Sequence, residues 1–157
     1  MSRRLIAIVP VALALAAGGT AVAKPGAHEL VVRGEDNLSE LACNAAGVCE
    51  AQVSDGRSSG TLGIGTYQGS MRLYLRDAFD NGEGGKCAPA GGRLVFAGRL
   101  VVALAGNSCQ DGAGDPTKAS FTGLFRFRVV NGHGHGTAVV TEDANDHEHL
   151  TLIGTIR

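Results

Sequence analysis

The run "SFTGLFRFRVVNGHGHGTAVV" (residues 120–140) constrains this chain more than any other feature. Phe121, Gly123, Phe125, Phe127 and Val129 share one phase, and Arg126 and Arg128 share the other. A period of two is the mark of a half-buried β-strand. Asn131-Gly132 then interrupts the run, and both residues tolerate the positive φ of a two-residue hairpin turn. Pairing across that turn sets Arg128 opposite His135 and Arg126 opposite Thr137. On the apolar face Gly136 falls opposite Phe127 and Ala138 opposite Phe125, small against large.

The same rhythm recurs along the chain. "TYQGSMRLYLR" puts Tyr67, Gly69, Met71, Leu73 and Leu75 on one face and Gln68, Ser70, Arg72, Tyr74 and Arg76 on the other. "GRLVFAGRLVVALAG" aligns Leu94, Phe96, Gly98, Leu100, Val102 and Leu104 inward and turns Arg93 and Arg99 outward, with Gly98 bending or bulging the strand. "HELVVRG", "VCEAQVS" and "GTLGIG" read as three earlier strands, and "LTLIGTI" as the last one. "EDNLSELACNAAG" accommodates a turn of helix near residues 38–42. The chain has 24 glycines and only 4% aromatic residues, which favours many tight turns over long helices. The expectation is an all-β protein, a single antiparallel β-barrel of about eight strands.

The first 23 residues read as an export signal. Arg3 and Arg4 are followed by an apolar stretch at residues 5–17 and by "AVA" at 21–23, a small-x-small cleavage pattern. Cleavage leaves residues 24–157 as one domain, secreted, with no membrane attachment. Losing Arg3 and Arg4 takes the formal charge from −1 to −3. No basic stripe remains, so nucleic acid is not an expected partner. In an oxidising compartment Cys43, Cys49, Cys87 and Cys109 read as two disulfides. Of the three pairings, sequence proximity favours Cys43–Cys49 and Cys87–Cys109. The paired short spacings of a zinc site are missing.

Four of the five histidines fall in "NGHGHG" and "DHEH". His133 and His135 share the face of Arg126 and Arg128, whose charge repels a cation. His149 belongs near Val140 and His135 near the chain terminus, roughly 17 Å apart at 3.3 Å per residue. A four-histidine site within one chain is therefore excluded. A weaker metal candidate is Asp143, Asp146, His147 and His149 around the acidic turn; its bland counterpart is a solvated turn at a sheet end. "DNGEGG" and "DGAGDPTK" read as surface loops, and Asn37-Leu38-Ser39 matches a short glycosylation sequon.

Every inward register above is apolar, with Tyr67 as its one titratable group. A general acid or base must share the pocket with its substrate, so no catalytic residue is assigned and no cofactor is implied. Gly69, Gly98, Gly123 and Gly136 leave inward space, and Tyr67, Phe96, Phe125 and Phe127 are the candidates to line it around a small apolar ligand.

Across residues 65–157, "GTYQG", "NGEGGKCAP", "GNSC", "FTGLFRFRV", "VVNGHGHG" and "LIGTI" resemble a group of small actinobacterial secreted proteins. The layout is similar to antiparallel barrels of the dirigent and allene-oxide-cyclase type. The resemblance implies the fold. In those barrels a longer G-G-T-G-x-F segment stands where this chain has "NGHGHG", and no shared motif is catalytic. Three roles follow as expectations: a secreted non-catalytic binding or structural protein, a carrier of a small apolar ligand, and a dirigent- or cyclase-like catalyst.

Overall fold

The computed structural model describes residues 26–82, 85–97, 99–111, 120–142 and 147–157. The stretch expected to be an export signal, residues 1–23, lies outside the described residues, as do Gly98, Asp143 and Asp146. The strands are β1 (His28–Leu38), β2 (Ala42–Cys43), β3 (Val48–Gly60), β4 (Gly65–Tyr74), β5 (Phe79–Asp80), β6 (Lys86–Phe96), β7 (Leu100–Asp111), β8 (Ser120–Val129), β9 (Gly134–Glu142) and β10 (His147–Ile156). Eight of them pair antiparallel in the order β1-β10-β9-β8-β7-β6-β4-β3, and β3 pairs back onto β1. The sheet is thus a closed barrel, which removes the free edges an open sheet would present to other chains. Short β2 and β5 add to β3 and β6 outside that circle.

Alternation decides which residues are inside. The expected β8–β9 register holds in full, with Arg128 opposite His135, Phe127 opposite Gly136 and Phe125 opposite Ala138. Leu30, Val32, Val102 and Leu152 are sealed from solvent, and Phe96, Phe125, Phe127 and Tyr67 pack around them. Each such side chain contributes roughly 1.5–3 kcal/mol by leaving water. Both disulfides join cross-strand partners, Cys43 to Cys49 across β2–β3 and Cys87 to Cys109 across β6–β7. Both lie at the same end of the barrel.

Several sequence expectations are corrected. "GRLVFAGRLVVALAG" is a hairpin rather than one bent strand, with Phe96 paired to Leu100 across residues 97–99. The inward phase survives because paired residues share a face. "GTLGIG" is largely the turn between β3 and β4. Residues 38–42 carry no helical turn; β1 runs through Leu38 and β2 begins at Ala42. Leu75 leaves the inward face in a short 3-10 turn at Leu75–Asp77 and is exposed.

The other departure is a bulge in β3. Glu35 pairs with Arg57 and Asn37 with Ser54, so two β3 residues, Asp55 and Gly56, oppose the single residue Asp36. The same extra residue shifts the register against β4 between Val53 and Gly56. Asp55 takes φ 55°, a left-handed value that aspartate tolerates better than most residues. Inward positions therefore change phase along β3, from Cys49, Ala51 and Val53 to Gly56 and Ser58.

Candidate functional site

The β1 alternation Leu30, Val32, Gly34 does not stop at the expected strand end. It continues to Asp36, which is 7% exposed. On β10 the phase of Leu152 and Leu150 runs back to Glu148, 6% exposed. Asp36 and Glu148 are direct cross-strand partners, and Glu148 is in turn opposite Glu142 on β9. Three carboxyl side chains therefore lie in a row across β1, β10 and β9. Directly opposed side chains of a sheet have Cβ atoms ~4.5–5.5 Å apart, and like charges so placed repel. The expected wholly apolar interior is thus wrong: Tyr67 shares it with two buried carboxyls.

Tyr67 closes the group from β4. Its ring stacks on Phe96 with centroids 5.0 Å apart. It also lies over two glycines, since a Cβ on Gly34 would come within 2.6 Å of the ring and one on Gly56 within 2.8 Å. So placed, the phenol donates a hydrogen bond to Asp36 Oδ2. The β3 bulge sits directly beside Asp36 and supplies Gly56, so the irregular backbone makes room for the tyrosine. Asp36 Oδ1 is buried, with no hydrogen-bond partner among the described residues.

Protonation follows from this packing. Burial is the largest influence on Glu148, followed by a hydrogen bond to Asp36 and the charges of Asp36 and Glu142; together they push its carboxyl up from 4.5 to about 9. Glu148 is therefore a neutral acid at neutral pH. Burial also raises Tyr67 far above the ordinary phenol, with Asp36, Glu148 and Glu35 adding to the effect, so the hydroxyl stays a donor.

Glu148 faces a cavity of about 490 Å³ at the disulfide end of the barrel. The apolar wall is formed by Leu38, Met71, Leu73, Phe121, Phe125 and Val140, and Glu40, Glu142 and Glu148 supply its carboxyls. Among the described residues no Arg, Lys or His lines it. The volume is in the range of small-molecule sites, and an apolar wall with few polar groups is their usual make-up. Of the ligand candidates read from sequence, Phe125 lines the cavity; Tyr67, Phe96 and Phe127 belong to the packed core. Gly123 is at the cavity wall, as its inward phase implied.

The histidines face outward. His135 is opposite Arg128 and Thr155, and His149 is opposite Thr141. That register is one residue away from the expected pairing with Val140, and it is the one that turns Glu148 inward. His149 Nδ1 lies 3.7 Å from Glu35 Oε1 on the outer wall, where both side chains are well exposed. Among the described residues no group of three or more His, Cys, Asp or Glu is placed to hold a metal ion. Two members of the metal candidate, Asp143 and Asp146, lie outside the described residues; His147 and His149 are exposed on β10.

No protein-family model, curated protein or solved structure matches this chain.

Proposed function

We propose that this protein is an extracytoplasmic ligand-binding barrel that takes a small, mainly apolar molecule into its disulfide-braced end. The carrying observation is the contrast between the two halves of the interior. One half is filled by Leu30, Val32, Val102 and Leu152, and the other encloses about 490 Å³ behind an apolar wall. A barrel of eight strands either fills its interior with side chains or holds one small molecule. Two disulfides support a location outside the cytoplasm, where such bonds persist.

The test is binding of a neutral solvatochromic dye such as Nile red to the purified domain, beside Ala90→Phe. Ala90 is buried at the cavity wall, so the larger ring fills the space without touching the carboxyl row. Saturable binding that Ala90→Phe weakens at least about tenfold, ~1.4 kcal/mol, supports the reading. Unchanged binding by a folded Ala90→Phe protein overturns it.

A second reading is favoured by one observation, the neutral Glu148 carboxyl facing the cavity. Such an acid can protonate a bound molecule, which fits the cyclase-like resemblance. The two readings part when the natural ligand is incubated with the protein and re-extracted: a carrier returns it unchanged, a catalyst returns an isomer.

A further inference from the structure

Charge is unevenly placed along this chain. Residues 84–110 and 116–141 contain no Asp or Glu, yet they carry Lys86, Arg93, Arg99, Lys118, Arg126 and Arg128. These two segments supply nearly all of β6, β7, β8 and β9, which are consecutive in the sheet. The expectation that no basic stripe remains is therefore corrected: the chain has a formal charge of −1, but one wall of the barrel is basic. On its outer face Arg93 pairs with Ala103, Ala103 with Arg128, and Arg128 with His135. In the next row Gly91, Ala105 and Arg126 are aligned. Neighbouring strands are ~4.8 Å apart, so Arg93 and Arg128 stand ~10 Å apart across the low alanine face of β7. Arg126 lies ~7 Å along β8 from Arg128. Arg99 is exposed in the turn that joins β6 to β7.

All four arginines are exposed, and among the described residues none has an ion-pair partner. Arg72, on the far side of β6, is instead held by Glu50. Like charges gathered on one wall repel, and packing does not require them, because an outward strand position accepts any polar residue. We propose that this wall is a docking surface for a linear anionic polysaccharide, whose carboxylate or sulfate groups pair with Arg93, Arg99, Arg126 and Arg128. The surface is on the outside of the barrel and separate from the cavity. A guanidinium fork matches two oxygens of either group, which fits a set made only of arginine. Cations on both sides of β7 follow one chain laid along it, whereas a flat bilayer meets this convex wall only along a line. Among the described residues every aromatic side chain of β6, β7 and β8 points inward. The stacking platform of single-stranded nucleic-acid binders is therefore missing.

The experiment titrates the disulfide-bonded protein against a fluorescein-labelled heparin oligosaccharide. Unlabelled heparin, polygalacturonate, a DNA duplex and phosphatidylglycerol vesicles are the competitors. Binding is expected at about 50 mM salt, and four engaged cations should weaken it roughly fiftyfold by about 200 mM. Arg126→Ser with Arg128→Ser should halve that salt slope and weaken binding several-fold. The same loss of charge on the opposite wall, Arg33→Ser with Arg57→Ser, should change binding less than about twofold. Thermal melting beside the parent shows that each variant is folded. Polygalacturonate competing as well as heparin supports carboxylate sugars as the partner, and a much weaker effect supports sulfated ones. No binding at low salt, equal losses in the two double variants, or stronger competition by the duplex or the vesicles than by either polysaccharide overturns the proposal.

Discussion

Glu148→Gln isolates the physical consequence of burying the carboxyl row. In the unfolded chain this carboxyl titrates near 4.5, and in the barrel near 9. Between those values the folded protein keeps a proton that the unfolded chain has released. Unfolding then releases a proton, so stability falls as pH rises. The contribution is complete below the lower value and lost by the time pH passes the upper one. A one-proton difference is worth ~1.4 kcal/mol per pH unit. From about pH 5.5 to 7.5 the wild type should therefore lose roughly 3 kcal/mol through this residue alone. That is a large share of the ~5–15 kcal/mol that holds a typical domain. Glutamine keeps the shape and a donor for Asp36 but cannot lose the proton. The variant should show a flatter profile and be the more stable protein at about pH 8. Urea unfolding of both proteins, disulfides intact, measures this across the range. Subtracting the curves cancels the exposed histidines and surface carboxyls. Parallel profiles would refute the argument, because they would mean that Glu148 ionises in the barrel as it does in water. Asp36→Asn supplies the graded case: it removes one hydrogen bond and one charge but leaves burial, the largest cause, so the slope should shrink without vanishing.

Tyr67→Phe keeps the stack on Phe96 and the fit over Gly34 and Gly56 but removes the donor to Asp36 Oδ2. It should cost about 1–3 kcal/mol in equilibrium unfolding, whereas a loss under half that amount would mean that water replaces the phenol. The two disulfides should differ in weight. Replacing Cys87–Cys109 by serines, with a sequence separation of 22, should cost about 3 kcal/mol, and replacing Cys43–Cys49, with a separation of 6, about 2 kcal/mol on loop-closure grounds. Thermal melting of each variant orders them, and a reversed order would show that the short bridge braces the cavity end directly.

Much of the barrel could be read from residue order, because each wall strand carries its inside and outside faces in alternate residues. Phe121 to Val140 specified a hairpin and its register from local chemistry alone. That local information also misled. Leu94, Phe96, Leu100 and Val102 keep one phase through residues 97–99, so a hairpin and a bent strand look alike when partner residues share a face. In β3 the bulge at Asp55 and Gly56 breaks the alternation, so "VCEAQVS" shows only the first part of a strand of 13 residues. The candidate site was missed for a related reason. Charged residues suggested that β1 stopped at Gly34 and that β10 began at Leu150, yet simple continuation of phase reaches Asp36 and Glu148. That step was available in the sequence. What residue order does not carry is adjacency: β1 and β10 come from opposite ends of the chain and meet only because the sheet closes. Closure brings Asp36 beside Glu148, and the β9–β10 pairing adds Glu142. Apolar alternation builds the wall, but the unusual acid–base state of this interior comes from a long-range pairing. Disturbing that closure should restore ordinary carboxyl titration even where every local strand survives.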